Sequence, residues 1–372
     1  MSGRGIRVWI LRLHRWSTFA IGVFVVLVCA TGAVLMFDNE IDRLARPALY
    51  EVTPGDVGPD SALAAMRDAV PGRAVTRLWY PRASQPVYIG EFGGVRFAHV
   101  DPGSGRVLGV RGEPVMTVIR QLHANLRLGL SGSKFVAWLG ILMLGMFATG
   151  LVLWWPGLRK LPLGFRLRRR GGAILVNYDL HNLMGVLSTP LLVLITLTGA
   201  GIVYSGVTRS ALHALWSRSP EPRAHGPRPV RSEPQRGQAM AVADLVRGAR
   251  DTLPGFDVMS VVLPQRTGNA VQVRMVFPGG RLRDGNARVL LDPGDGSVVG
   301  TIDPRTLNAP DAFQARWIFA LHAGEFGGLP VQILYAIVGM VPVALTGTGL
   351  AVWWLRRKGR LALAERRAAR AA

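Results

Sequence analysis

Four long apolar stretches constrain this chain more than any other feature of its sequence. They cover residues 16–37, 135–155, 183–204 and 331–355, and each supplies the about 20 residues that a helix needs to cross a bilayer. The pattern predicts a membrane α-helical protein with a four-span bundle. It excludes a disordered basic protein, the class that a net charge of +21 would otherwise suggest.

The positive charge predicts the direction in which the chain crosses the membrane. Three short segments, residues 1–15, 157–180 and 356–372, carry +15 of the net +21. Four spans place these segments on one side, and the positive-inside rule makes that side the cytoplasm. The long connections, residues 38–115 and 206–313, are then expected in the periplasm. We therefore expect a multi-pass protein of the bacterial inner membrane with both termini in the cytoplasm.

The first span is expected to remain part of the protein. Its 22 apolar residues exceed the apolar region of a signal peptide, and no small-x-small cleavage pattern precedes Asp38. Cys29 follows the bulky Val28, which argues against a lipoprotein. As the single cysteine of the chain, it also excludes an intramolecular disulfide and any cysteine-built zinc or iron–sulfur site.

The sequence contains an internal repeat. His14 and His181 each follow a leucine and precede a Thr-Gly dipeptide by 17 residues. His123 and His322 each follow a leucine, and each precedes a Thr-Gly dipeptide by 26 residues and a Trp-Trp pair by 31 residues. Both long connections contain an Asp-Pro-Gly turn. These matches predict two parallel repeats, each made of a span, an exterior section and a returning span.

Each exterior section is predicted to form a small α+β domain. A helix comes first, at residues 61–69 or 242–252, and strands and a hairpin follow. The strands and hairpins are expected at residues 76–80, 87–91 and 95–110 in the first section and at residues 258–263, 270–277 and 287–302 in the second. Neither section has a flavin, nicotinamide or phosphate-binding fingerprint.

Four histidines lie at matching ends of the four spans, where an ionisable side chain is costly unless it has a partner or a function. The predicted topology pairs His14 with His181 near the cytoplasmic face and His123 with His322 near the outer face. Each pair takes one histidine from each repeat, so the two rings face each other across the pseudo-twofold axis. Two such imidazoles suit the axial positions of one haem, and the pattern predicts two haems stacked across the membrane.

Charged residues near these histidines are candidates for two other roles. Glu325 and Asp179 lie close enough in sequence to be third ligands, so a zinc site stays open as an alternative. Four arginines lie within about one helical turn of the paired histidines and are candidates to bind haem propionates: Arg12, Arg15, Arg120 and Arg127. The alternative role for these arginines is to set the topology.

The two outer histidines are expected on short segments that end before the following span begins. Glycines follow both His123 and His322 before the next apolar stretch. This break would place the outer haem at or just above the membrane surface, within reach from outside. The remaining histidines have no partner at the equivalent repeat position and are predicted to be surface residues: His99, His213 and His225.

The Leu-His, Thr-Gly and Trp-Trp pattern resembles that of the PepSY-associated transmembrane helix family of bacterial inner-membrane proteins, and the exterior sections resemble PepSY domains. The motifs are Leu13-His14-Arg15-Trp16 with Thr31-Gly32, Leu122-His123 with Trp154-Trp155, Asp179-Leu180-His181 with Thr198-Gly199, and Leu321-His322 with Trp353-Trp354. The family includes iron-regulated reductases similar to the ferrioxamine-type siderophore reductases. The resemblance, which covers nearly the whole chain, implies two b-type haems with His14, His123, His181 and His322 as iron ligands.

The predicted domain boundaries follow from the spans and this resemblance. They are residues 1–37 for the first span with its cytoplasmic N-terminus, 38–115 for a periplasmic PepSY-like domain, 116–156 for a periplasmic-side helix and the second span, 157–180 for a cytoplasmic loop, 181–205 for the third span, 206–313 for a periplasmic linker and second PepSY-like domain, 314–355 for a periplasmic-side helix and the fourth span, and 356–372 for a cytoplasmic tail.

The expected function is electron transfer across the membrane to iron. A quinol or a cytoplasmic donor would supply electrons, and a ferric siderophore or similar ferric chelate would be reduced in the periplasm and release Fe(II). No nucleic-acid partner is expected, because topology accounts for most of the basic residues. Two other classes stay open: a haem-free PepSY sensor or regulator, and a transporter-associated subunit of iron uptake. A transporter would be expected to have interrupted or polar spans, whereas these spans are apolar.

Overall fold

The computed structural model describes residues 3–170, 172–216, 240–266, 269–280 and 285–371. The chain divides into two compact units. The helical unit consists of Met1–Met36, Ile119–Tyr204 and Leu321–Ala372, and the sheet unit consists of Phe37–Val118 and Ser205–Ala320.

Helices account for most of the described residues. In chain order they are α1 (Gly3–Leu35), α2 (Asp38–Ala45), α3 (Gly58–Ala69), α4 (Val115–Asn125), α5 (Gly129–Trp154), α6 (Gly172–Val203), α7 (Ser205–Leu215), α8 (Val242–Thr252), α9 (Ala309–Ala323) and α10 (Gly328–Ala371). The strands are β1 (Arg77–Trp79), β2 (Tyr88–Phe92), β3 (Arg96–Val100), β4 (Val107–Arg111), β5 (Asp257–Val262), β6 (Val271–Val276), β7 (Ala287–Leu291) and β8 (Val298–Ile302). Short 3₁₀ helices occupy Pro47–Tyr50 and Leu158–Phe165.

Four helices of the helical unit, α1, α5, α6 and α10, are long and apolar enough to cross a membrane, and no other helix in the described ranges is. They coincide with the four apolar stretches, so the prediction of four membrane helices is confirmed. Helix α1 packs against α5 and α10, and α6 packs against the same two helices. Small residues allow close approach, since a Cβ on Gly339 would lie 3.3 Å from the Cβ of Ala33.

Three of these helices, α1, α6 and α10, extend well beyond the apolar stretches, and α1 already begins at Gly3. Helix α6 begins at Gly172, before the third predicted span, and α10 continues through the basic C-terminal segment to Ala371. The extension of α10 is rich in alanine and arginine, which are strong helix formers. Hydropathy therefore located the segments that can cross a membrane, whereas helix propensity determines where the helices end.

The strands of the sheet unit form one antiparallel sheet in the order β4-β3-β2-β1-β5-β6-β7-β8. The predicted strands are confirmed to within a few residues, but the sequence predicted a separate sheet in each exterior section. Strands β1 and β5 join the two, with Leu78 opposite Val261. This pairing satisfies backbone groups that would otherwise be left at two open sheet edges.

Helices α3 and α8 pack on the sheet and against each other, and their apolar faces share one core with it. Met66 of α3 and Leu245 of α8 are almost completely buried there. Asp60 of α3 accepts hydrogen bonds from the backbone N–H groups of Val242 and Ala243, at 2.7 and 2.9 Å. This carboxylate therefore caps the N-terminus of α8 from a neighbouring helix.

The prediction that His99 and His213 are surface residues is wrong, since both are fully buried. His99 lies on β3 beside the ring of Tyr50, and burial lowers the pKa of His99 to about 3, which keeps the ring neutral. His213 lies on α7, where its Nε2 is 3.0 Å from Oδ1 of Asp311. The prediction for His225 concerns a residue outside the described ranges.

Candidate functional site

The helical unit brings the four histidines together as two pairs. The rings of His14 on α1 and His181 on α6 form the first pair, with centroids 6.3 Å apart and planes at 85°. The rings of His123 on α4 and His322 on α9 form the second pair, with centroids 6.0 Å apart and planes at 35°. These are the two pairings expected from the predicted topology. Each pair combines one histidine from each half of the chain.

The second pair lies on helices that end shortly after the histidine. Helix α4 ends at Asn125, and Leu126 and Arg127 then adopt the left-handed conformation, with φ of 52° and 61°. Helix α9 ends at Ala323, directly after His322, and the glycines at 324 and 328 have positive φ. The chain therefore breaks between each of these histidines and the following long helix, as the glycines of the sequence predicted.

Hydrogen bonds at Nδ1 fix the tautomer of the second pair. Nδ1 of His123 lies 2.8 Å from the carbonyl oxygen of Val28, and Nδ1 of His322 lies 2.9 Å from that of Ile195. A carbonyl oxygen only accepts, so each Nδ1 must carry the proton and donate it. Burial lowers the pKa of both histidines, to about 4 for His322, so both rings are neutral. Each Nε2 then presents a lone pair, as metal ligation requires.

The first pair has the same tautomer for a similar reason. Nδ1 of His14 is 2.9 Å from the Thr149 hydroxyl, and that hydroxyl already donates to the carbonyl oxygens of Gly145 and Met146. Nδ1 of His181 is 3.1 Å from the carbonyl oxygen of Leu345 and equally far from the Thr348 hydroxyl. All four Nδ1 atoms therefore act as donors, and all four Nε2 atoms remain available as ligands.

The ring separations fit a single metal ion between the members of each pair. Two nitrogens on opposite sides of one metal are about 4 Å apart, because each bond is about 2 Å long, and each ring centroid lies roughly 1 Å behind its nitrogen. The expected centroid separation is therefore about 6 Å, and the two observed separations are 6.3 and 6.0 Å. The residues present thus fit haem, which would be held at each site by one histidine from each half of the chain.

The alternative of a zinc site is not supported by the arrangement of acidic residues. In the ranges that the structure describes, no group of three or more His, Cys, Asp or Glu side chains is placed to hold a metal ion. Asp179, one of the two candidate third ligands, instead forms an ion pair with Arg168, with a nitrogen–oxygen distance of 2.6 Å. Glu325, the other candidate, belongs to no such group either. Zinc usually has three or four protein ligands.

A cavity of about 1010 Å³ lies at the first histidine pair. Its size is at the upper end of the about 300–1,000 Å³ typical of cofactor and ligand pockets. His14 and His181 line it together with apolar side chains of all four long helices. Its charged lining residues are all arginines: Arg7, Arg15, Arg356 and Arg360. The lining is therefore apolar and cationic, which suits a flat apolar ligand that carries carboxylates.

Comparison with protein families identifies the chain. A sequence model of the PepSY-associated TM region matches residues 11–356, nearly the whole chain. The chain belongs to this family. Membership suggests an iron-related membrane protein. No curated protein matches the chain.

The structure separates the four arginines that the sequence offered as propionate partners. Arg15 lines the cavity of this PepSY-associated protein, and its buried Nε has no hydrogen-bond acceptor among the described residues. Arg12 is exposed and is not part of the cavity lining. Arg120 is half-buried one turn before His123, and Arg127 follows the end of α4. Of the four arginines, Arg15 is therefore the one that lines the cavity at the first pair, whereas Arg120 and Arg127 are near the second pair in sequence.

Sequence reasoning missed several residues of the site in this family member. Arg356 and Arg360 come from the basic end of α10, whose charges the sequence links only to membrane topology. Thr149 and Thr348 were used to detect the repeat, and their role as hydrogen-bond partners of histidine was not predicted. The recurrence of Thr-Gly at fixed distances from the histidines was the available signal.

Proposed function

We propose that this protein binds two b-type haems, one between His14 and His181 and one between His123 and His322. The observation that carries the proposal is the arrangement of the four histidines. Their rings form two pairs with centroids 6.3 and 6.0 Å apart, and all four donate from Nδ1. An isolated histidine at membrane depth has many explanations, but two facing pairs with the ligand tautomer have few. When bound, haem would supply one-electron chemistry at its iron.

The positions of the pairs along the helices support transfer across the membrane. Val28 and Gly32, which contact His123, follow His14 on α1 by 14 and 18 residues, a rise of about 21–27 Å. Ile195 and Gly199 follow His181 on α6 by the same two intervals and contact His322. The two pairs are therefore separated by a distance close to the about 30 Å of the hydrocarbon core.

We propose that the substrate is a ferric siderophore or a similar ferric chelate and that the reaction is reduction to Fe(II). One electron converts each ferric ion to ferrous, which oxygen-rich chelators hold more weakly. A quinol or a cytoplasmic reductant would supply the electrons. The protein's own residues would hold the ligand nitrogens in place and exclude bulk water. Electron transfer of this kind needs no nucleophile or paired acid and base.

The proposed orientation places the termini in the cytoplasm of a bacterium and the sheet unit in the periplasm. Its support is the charge distribution, in which three short segments on one side of the predicted topology carry +15. We also propose that the two halves are parallel repeats. In the sheet unit, α3 with β1 to β4 and α8 with β5 to β8 have the same order of elements, and each half supplies one histidine to each pair.

The proposal is tested by four alanine variants of the purified protein, expressed with haem supplied. His14→Ala and His181→Ala should each remove the same haem, and His123→Ala and His322→Ala should each remove the other, in reduced-minus-oxidised spectra. In vesicles with an enclosed reductant, each variant should lose reduction of an external ferric hydroxamate chelate. His225→Ala, outside both pairs, is the control. A wild-type protein without haem absorbance would favour the haem-free sensor or the transporter subunit.

A further inference from the structure

Each of the four histidines lies against a Thr-Gly dipeptide of a neighbouring helix. In the first half of the chain the contact is reciprocal between α1 and α5. His14 on α1 meets Thr149 and Gly150 of α5, whereas His123, just before α5, meets the turn of α1 that ends in Thr31 and Gly32. Helix α5 therefore contacts His14 of α1, and α1 contacts His123, which precedes α5.

The second half of the chain repeats this arrangement. His181 on α6 meets Thr348 and Gly349 of α10, and His322, just before α10, meets the turn of α6 that contains Gly199. The Thr-Gly dipeptides thus contact histidine rings as well as neighbouring helices. All four are placed at the Nδ1 side of an imidazole ring.

The helical turn that precedes each dipeptide's threonine, or the threonine itself, supplies the acceptor for the imidazole. In all four turns its hydroxyl donates to the carbonyl oxygens three and four residues earlier, at distances between 2.6 and 3.2 Å. Because its hydrogen is used within its own helix, the hydroxyl can only accept from a histidine. For His123 and His322, the acceptor is the carbonyl oxygen three residues before the threonine, at 2.8 and 2.9 Å.

The glycine of each dipeptide makes room for the ring, and the two pairs differ in how much room is left. A Cβ on Gly32 would lie 2.7 Å from Cε1 of His123, and one on Gly199 would lie 2.8 Å from Cε1 of His322. These distances are shorter than real Cβ contacts. At Gly150 and Gly349 the corresponding distance to the first pair is 3.5 Å, an ordinary van der Waals contact.

We propose that the four Thr-Gly dipeptides position the four histidines in two ways: Gly32 and Gly199 set the place of the rings of the second pair, and the threonine turn of each dipeptide holds the proton of its histidine on Nδ1. The inference rests on the proposed function, because it assigns these residues to the haem ligands. The inference also assigns different roles to the glycines and the threonines at the two histidine pairs. The second pair depends on its glycines, since its acceptors are backbone carbonyls. The first pair depends on its threonines, since their hydroxyls are acceptors of His14 and His181.

The glycine arm of the test compares four alanine variants of the full-length protein. Gly32→Ala and Gly199→Ala should displace the second pair and abolish the low-spin signature of one haem, leaving the other. Gly150→Ala and Gly349→Ala are the matched controls at the same dipeptide position, and both haems should keep the wild-type spectrum. Equal spectra for all four variants would overturn the inference.

The threonine arm uses the isosteric variants Thr149→Val and Thr348→Val, which keep the shape of the helix. An acceptor at Nδ1 raises the basicity of a ligating histidine and favours the oxidised metal. Its loss should raise the midpoint potential of the first haem by about 59 mV, a tenfold change in the reduction equilibrium for one electron. Thr149→Val and Thr348→Val should shift the potential in the same direction, because each hydroxyl lies at the Nδ1 atom of its histidine.

Serine at the same positions should restore the wild-type potential, since it retains the hydroxyl. Thr31→Val and Thr198→Val are the controls, and their shifts should be smaller because His123 and His322 donate to backbone carbonyls. Unchanged potentials in Thr149→Val and Thr348→Val, in a protein that holds two haems, would overturn the inference and leave the proposed function intact. A wild-type protein that binds no haem would overturn both.

Discussion

Replacement of one cavity arginine should weaken haem binding at the first histidine pair, and the neighbouring arginine should not matter. Arg15 lines the cavity that contains His14, whereas Arg12 lies outside it. We therefore expect Arg15→Gln to reduce the affinity of the apoprotein for haem and Arg12→Gln to leave it unchanged. Both variants remove one positive charge from the same end of α1, so they share any effect on topology.

The expected size of the effect follows from the surroundings of Arg15. Its Nε is buried and has no acceptor among the described residues, so an incoming carboxylate would satisfy it. A hydrogen bond to a charged group contributes about 1.5–3 kcal/mol, which corresponds to an affinity loss of about 10- to 150-fold. Arg356 and Arg360 are exposed, and exposed ion pairs contribute about 0.2–1 kcal/mol, so their replacement should cost about 1.5- to 5-fold.

The assay is a spectroscopic titration of the apoprotein with haem and, in parallel, with haem whose propionates are esterified. The second haem is removed beforehand with a His123→Ala background, so that only the first site is titrated. Wild-type protein should bind haem more tightly than the ester, and Arg15→Gln should reduce that difference in affinity by about 10- to 150-fold. If Arg12→Gln and Arg15→Gln weaken binding equally, or if the ester binds the wild type as well as haem does, the assignment of Arg15 is refuted.

The remaining predictions concern the sheet unit. The Arg209 guanidinium lowers the pKa of Asp311 from 3.8 to about 2, so the carboxylate stabilises the fold above pH 4. The free energy of unfolding should therefore decrease by about 2 kcal/mol as the pH falls from 4 to 2, and denaturant titrations of Asp311→Asn should lack this decrease. Arg111→Ala should lower the free energy of unfolding by about 3–5 kcal/mol, because the side chains of Arg111 and its partner Asp42 are only 8% and 15% exposed. Arg106→Ala should lower it by less than about 1 kcal/mol, because the side chains of Arg106 and its partner Glu51 are 62% and 64% exposed.

The sequence predicted those features that local pattern and topology determine. Hydropathy located the four long helices, and turn residues located the strands to within a few residues. The charge count paired His14 with His181 and His123 with His322, and the structure brings the same rings together. That pairing depended only on the side of the membrane on which each histidine would lie. The assignment of these histidines as haem ligands remains a prediction.

The features that sequence reasoning missed depend on contacts between distant residues. The pairing of β1 with β5 joins strands that are far apart in the chain, and no local pattern specifies it. The burial of His99 depends on the packing of Tyr50 over β3. The cavity includes Arg356 because α10 continues as a helix beyond its apolar residues. In each case the contact joins residues that are distant in sequence and that only the fold brings together.

We propose that one chain holds two haems, each between two histidines. The most direct measurement is the molar ratio of haem to protein, determined from the pyridine haemochrome of protein purified after expression with haem supplied. We expect a ratio of two b-type haems per chain, both low-spin because each would be held by two imidazoles. A ratio of zero or one, or a high-spin spectrum at either site, would contradict it.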